Sequence, residues 1–202
     1  MTPQQTQLCD YLVLAKDAPD VGDDLMRLAS EHWDYIDRFA PQLVARGPLL
    51  SPDGQRHTGS VHIITSASEL DAQRFAWEEP YYQANLYCRV TVTGFWNLLR
   101  QTMWERVPSV PPEYSTFMLA NWSVRPCPAN QIALLQTVGW GNKSWVFLGL
   151  LLATEDGCTG MVAAVDLKPE VAVGRLRELL ALSQLDADSI EWSRWRRGGR
   201  PK

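Results

Sequence analysis

Of the three histidines in this chain, His32 stands where packing would ask for an aliphatic residue. Leu25, Leu28, Ala29, His32, Ile36, Phe39 and Leu43 recur at the three-and-four spacing of one helical face. An imidazole on that stripe must find a hydrogen-bond partner, because burying it unpaired is costly. It is then either a satisfied core or interface histidine, or a general acid or base partnered by a distant carboxylate. Glu78 and Glu79 offer such carboxylates. They stand at the end of a helix expected over 69–77, where the helix dipole opposes an acid. Pro80 holds Glu79 in an extended conformation. The plain reading is two solvated acids; the sharper one is a partner for His32. His57 follows a turn and is expected to be exposed. His62 alternates with Val61 and Ile63 on a strand, so it faces away from them.

Other chemistries find little support. No two histidines have metal-ligand spacing on a helix, and there is no Gly-rich phosphate loop or nucleophile elbow. Gly139-Trp140-Gly141 is too short and misplaced for a dinucleotide fingerprint. Cys9, Cys88, Cys127 and Cys158 are scattered without a C-x-x-C pair, which reads as reduced structural thiols. Two disulfides could form, but nothing in the spacing requires them. Cys9 and Cys88 fall in strand-like segments, where a buried thiol acts as a small apolar side chain. Nine tryptophans are many for this length. Some fill the core or an interface, or line a cavity suited to a flat apolar ligand.

Composition sets the frame for these residues. With 46% apolar and 21% charged residues, the 202-residue chain is an ordinary globular protein. A net charge of −4 argues against a nucleic-acid or anionic-membrane surface. The basic run Arg194, Arg196, Arg197, Arg200 and Lys202 reads as a solvated tail. The first ten residues lack the pattern of a secretory signal, and the longest apolar run, 145–153, suits a strand but not a membrane span. A cytoplasmic protein is the expectation.

The elements that must position His32 and Glu79 can be placed by periodicity. A strand over 11–15 precedes a helix that opens at Asp23 and Asp24 and closes at Gly47-Pro48, with Pro41 cutting its last turn. Leu49-Leu50, 59–65 and 86–93 read as strands, with the helix over 69–77 between the last two. The order is β-α-β-β-α-β, the ferredoxin-like motif. Phe95, Leu98, Leu99 and Met103 keep helical spacing, and Val107 to Pro112 forms a stiff boundary. Beyond it strands over 116–124, 144–153, 161–167 and 190–195 enclose helices over 130–138 and 170–182. Around a turn at Glu155-Asp156-Gly157 the β-α-β-β-α-β pattern thus recurs, without a shared residue motif. The expected organisation is a first domain over 1–105, a Pro-rich linker over 106–113 and a degenerate second copy over 114–202.

At this point a family resemblance enters. Tyr11-Leu-Val-Leu-Ala15, the Arg27-x4-His32-x2-Tyr35 helix and Ala45-Arg-Gly-Pro-Leu49 resemble the start of a YciI-related (YCII) domain. Gly59-Ser60 is similar to its next strand, and Glu79-Pro80-Tyr81-x2-Ala84-Asn85-Leu86 looks like its Asp-Pro-Phe segment. The resemblance covers about residues 8–93 and is absent from 114–202. It implies a ferredoxin-like fold that pairs as a dimeric α+β barrel, with a histidine and an acid together in a cleft. His32 matches that histidine; Glu79 replaces the usual aspartate, and Asn85 a common glycine. Characterised members include a dehydrochlorinase acting on a chlorinated hydroxyquinone.

The resemblance therefore implies an α+β intrachain pseudo-dimer of tandem ferredoxin-like domains, with a homodimer left open. It also implies a lyase or isomerase of secondary metabolism, in which His32 and Glu79 work as an acid–base pair on an apolar, aromatic or polyketide-like molecule. Tyr11, Trp33, Ser60 and Tyr81 are then the substrate-binding residues. No metal or organic cofactor, nucleic acid or membrane is called for. The rival is a non-catalytic ligand-binding or protein-interaction module.

Overall fold

The computed structural model describes residues 8–106, 112, 114–141, 144–154 and 157–198. The first half runs β1 (Cys9–Asp17), α1 (Gly22–Asp37), β2 (Leu43–Leu50), β3 (His57–Ser66), α2 (Glu69–Trp77), α3 (Pro80–Gln83) and β4 (Tyr87–Asn97). The second runs β5 (Ser115–Pro126), α4 (Ala129–Gly141), β6 (Trp145–Thr154), β7 (Gly157–Val165), α5 (Pro169–Leu182) and β8 (Ser189–Trp195). Each half lays out a four-stranded antiparallel sheet, β4-β1-β3-β2 and β6-β7-β5-β8, in the ferredoxin-like order. The two sheets join edge to edge into one closed barrel. β4 pairs β6 from Gly94/Leu152 to Asn97/Gly149, and β2 pairs β8 at Leu49/Trp195 and Leu50/Arg194. A single chain thus makes the α+β barrel that the tandem reading called for, and closure leaves no free sheet edge.

Strand alternation sorts the side chains into three layers. Leu12, Val61, Ile63 and Phe95 meet Phe117, Phe147, Val162, Ala164 and Trp195 inside the barrel. Outside the first sheet, Val13 and Ile64 pack on Tyr35, Ile36, Ala72 and Phe75 of the helices. Outside the second, Met118, Leu148, Met161 and Ala163 pack on Leu135, Leu176 and Leu179. His62 lies on the helix-facing side of β3, against Phe75, as its alternation with Val61 and Ile63 requires.

Some boundaries depart from the periodicity. α2 spans 69–77, started by the Ser68 hydroxyl accepting from Asp71 N–H at 3.1 Å. α1, however, stops at Asp37, and a 3-10 turn over Ala40–Gln42 leads into β2. Leu43 therefore opens a strand, and Gly47-Pro48 lies inside that strand rather than ending a helix. A stripe of apolar residues continues across this junction because both elements bury the same layer. Phe95 to Met103 is likewise not helical: Phe95 ends in the barrel core, and Leu98 N–H bonds Leu148 carbonyl at 3.0 Å. Most of the expected Pro-rich linker (107–111 and 113), and Glu155-Asp156 of the expected turn, lie outside the described residues.

The cysteines correct the expectation of four reduced thiols. Cys127, just past β5, meets Cys158 on β7 in a disulfide, with their Cα atoms 6.1 Å apart. The register that sets Arg125 opposite Cys158 brings them together, and no sequence spacing encodes it. Cys9 and Cys88 are free but exposed, because both sit at strand ends beyond the packed layers. Among the described residues no helix is long and apolar enough to cross a membrane.

Candidate active site

Glu79 is the first residue to explain. Glu78 caps the end of α2, and Glu79 instead opens α3, extended at φ −75° and ψ 146° with Pro80 in the first helical position. Its carboxylate accepts from the backbone N–H groups of Tyr81 and Tyr82, both at 3.1 Å. The acid therefore has a helical reason after all. It is an N-cap, not a misplaced C-terminal charge. The same carboxylate reaches across to α1, where Oε2 lies 2.8 Å from His32 Nδ1. Both residues are buried, at 8% exposure for His32 and 4% for Glu79.

The imidazole is held on two sides. Its ring stacks on Tyr81, with centroids 4.2 Å apart and planes within 5°. Tyr81 is itself fixed, its hydroxyl donating to Leu25 carbonyl at 2.9 Å. With Nδ1 engaged by a carboxylate, the favoured neutral tautomer donates from Nδ1 and leaves Nε2 as the basic nitrogen. His32 opens onto a cavity of about 420 Å³, whose α1 wall also carries Trp33 and Ile36.

All three histidines line this one cavity. His57, expected to be exposed, is part-buried instead, with Nδ1 2.7 Å from Asp17 Oδ2. The pair joins the start of β3 to the end of β1, forty positions apart, so sequence spacing carried no sign of it. His62 is pushed well below its ordinary pKa by burial first, then by His32, Arg46 and His57, and stays neutral. Ser60 lines the cavity and bonds the Tyr87 hydroxyl at 3.1 Å. Burial, and after it the Glu79 carboxylate, push the Tyr87 and Tyr81 hydroxyls upward, so both stay protonated.

The fold gathers His32, Trp33, Ser60 and Tyr81 around the cavity, with Glu79 directly behind His32. Tyr11 lies apart, lining a wider groove beside Glu69, Phe95 and Trp96. The basic tail also departs from expectation. Arg194 stacks on Tyr114, while Arg197 pairs with Asp166 at 2.9 Å and, with Arg196, lines the cavity. Arg200 and Lys202 lie outside the described residues. No group of three or more His, Cys, Asp or Glu placed to hold a metal ion occurs among the described residues.

No curated protein matches the chain in sequence. Solved structures do. A candidate monooxygenase from Lactobacillus acidophilus NCFM covers 94% of this chain and 93% of its own, at 7% identity and a TM-score of 0.53. A chlorite dismutase variant from Candidatus Nitrospira defluvii covers 93% and 91%, at 10% identity and a TM-score of 0.51. These two share the whole-chain fold, and at such identity the fold alone. A 5-chloro-2-hydroxyhydroquinone dehydrochlorinase from Burkholderia phenoliruptrix AC1100 covers 41% of this chain and 89% of its own, at 23% identity and a TM-score of 0.39. Residues 9–96, which supply His32, Glu79, His57 and the sheet beneath them, match the YCII-related domain family.

Proposed function

We propose that the chain is a small-molecule lyase or isomerase in which His32 is the general base and Glu79 the carboxylate that orients it. One observation carries the reading: a buried imidazole–carboxylate contact of 2.8 Å whose histidine lines a cavity. Glu79 holds Nδ1–H, so Nε2 takes a proton from a substrate C–H or O–H, and the carboxylate then stabilises the imidazolium. The backbone N–H bonds from Tyr81 and Tyr82 keep Glu79 from swinging away. His57, held by Asp17 on the β3 wall, is the second proton carrier. In an elimination the C–H electron pair becomes the new double bond, the leaving group departs with its own pair, and His57 supplies its proton. In an isomerisation the proton returns at another carbon. The volume suits a ring-sized metabolite.

The test is turnover, or solvent deuterium incorporation, across a panel of enolisable ketones and hydroxyquinones. General-base removal in His32→Ala is expected to lower the rate by about 10²–10⁴-fold with circular dichroism unchanged. If that variant keeps its rate, or simply unfolds, His32 is a packing residue; no turnover by the wild type on any member of the panel would make the chain a binding module.

A further inference from the structure

The second half of the chain contributes to the first half's cavity, and its contribution has a chemical character of its own. Past Trp195 the backbone continues along β2 as an arm. Arg196 N–H bonds Pro48 carbonyl at 3.3 Å, and Gly198 N–H bonds Arg46 carbonyl at 2.8 Å. The approach is too close for side chains between the two segments. A β-carbon on Gly198 would stand 2.7 Å from Gly47 Cα, and one on Gly47 would run into the Arg196 carbonyl. The Gly47-Pro48 pair of the family-like motif is thus the bed on which the arm lies.

This docking sets Arg196 and Arg197 on the same cavity as Arg46. Arg197 is fixed in place, donating to the carbonyls of Met103 and Arg106 and to Asp166, with its side chain 20% exposed. Arg46 is held by Asp37 at 2.6 Å and is 14% exposed. Arg196 has no ion-pair partner among the described residues. Three guanidinium groups therefore share two carboxylates, while Glu79 and Asp17 are each committed to a histidine. No Asp or Glu among the described residues lines the cavity itself. Beyond the arginines, its walls offer imidazoles, a hydroxyl and the apolar faces of Trp33 and Ile36. A site crowded with fixed donors and one unneutralised cation selects a ligand with a charged, planar oxygen group at one end.

We propose that the arm 196–198 and Arg46 form an oxyanion subsite, so that the substrate of the proton-transfer reaction is a small organic carboxylate. It deepens the function proposed above and rests on it. The carboxylate sits at the arginine wall, its body lies along Trp33 and Ile36, and the acidic hydrogen faces His32. The second half's role is to provide this wall.

Because every histidine of the chain lines the cavity, the carbon–proton spectrum of histidine-labelled protein reports on that cavity alone. Acetate, benzoate and 2,5-dihydroxybenzoate are titrated to about 50 mM, well beyond millimolar fragment affinity. Benzamide serves as the neutral match for benzoate. Benzoate should shift the histidine signals to saturation and benzamide should not. Arg196→Gln should weaken benzoate about tenfold, as loss of one charge-assisted hydrogen bond does. Arg194→Gln, two positions earlier on β8 and off the cavity, should leave it unchanged. Equal response to benzoate and benzamide, no response to any carboxylate, or undiminished binding by Arg196→Gln would each overturn the subsite. The two proposals also fail separately. His32-dependent proton transfer on a neutral substrate without benzoate binding sinks only the subsite. Benzoate binding in a protein whose His32→Ala variant keeps its rate sinks only the catalytic reading.

Discussion

The two halves of the barrel share one topology and differ in what they do with the space between sheet and helices. In the second half that space is filled. Met118, Leu148, Leu150, Met161, Ala163 and Val165 are buried against Leu135, Leu176 and Leu179. In the first half the same layer begins in the same way, with Val13, Ile64, Ile36 and Phe75. Toward α3 it gives way to His32, His62, Ser60 and Glu79, all buried and most of them hydrogen-bonded. Where a packed layer would stabilise, the first half keeps a cavity with fixed donors. Within one chain, one half packs this layer and the other opens it into a cavity.

The comparison breaks most visibly at paired substitutions. His32→Ala should remove about 10²–10⁴-fold of turnover, whereas Leu176→Ala, fully buried in the second half, should leave turnover untouched. Its effect belongs to stability, at about 2–5 kcal/mol in denaturant melts. Loss of activity in Leu176→Ala below its melting range would show that the halves are not separable in this way. Glu79→Gln sharpens the same contrast. It should fall between wild type and His32→Ala in rate, because an amide oxygen in the Oε2 position still accepts from Tyr81 N–H and His32, while the Tyr82 bond is lost and imidazolium is stabilised less. A rate equal to that of His32→Ala would mean the charge, not the orientation, matters most.

Next in size is the staple of the second half. The Cys127–Cys158 bond spans a sequence separation of 31 residues, and its reduction should cost about 3–4 kcal/mol through loop-closure entropy. Urea midpoints with and without dithiothreitol measure it, and peptide mapping without reductant should recover the linked pair. An unchanged midpoint would leave the disulfide without a stabilising part. The smallest effect is the acid sensitivity of the first half. His62 has its folded pKa held below the ordinary 6.5, chiefly by burial, so below that pH the unfolded chain binds a proton that the folded chain refuses. Stability should therefore fall as pH drops, by up to about 2 kcal/mol between pH 7 and pH 5. His62→Gln should flatten that dependence, and an unaltered slope would assign the sensitivity elsewhere.

How much of this could be read in the residues follows from how far apart the interacting groups lie along the chain. The strands and α2 were legible because alternation and three-and-four spacing are local signals of one buried face. His32 was legible for the same reason, as a polar interruption of an apolar stripe. Glu79 stands out on a mistaken ground: periodicity places it at the end of α2, whereas a four-residue helix begins there. The stop of α1 at Asp37 was hidden because Leu43 continues the stripe into a strand that buries the same layer. His57 with Asp17, and Cys127 with Cys158, depend on strand register, which periodicity does not supply. The arginine arm looked like a solvated tail because its partner segment, Arg46 to Pro48, lies far back in the chain.

The barrel is sealed unevenly. Four residue pairs close it at β4–β6, but only two at β2–β8, where the arm then carries the contact on past the end of the strand. The cavity lies beside this shorter seam, with Arg46 on one lip and Arg197 on the other. A molecule held between those lips is then a clasp as well as a ligand. Its binding energy would be felt as resistance to the two halves parting, and amide hydrogen exchange at Leu49, Leu50 and Trp195 would slow when the cavity is full.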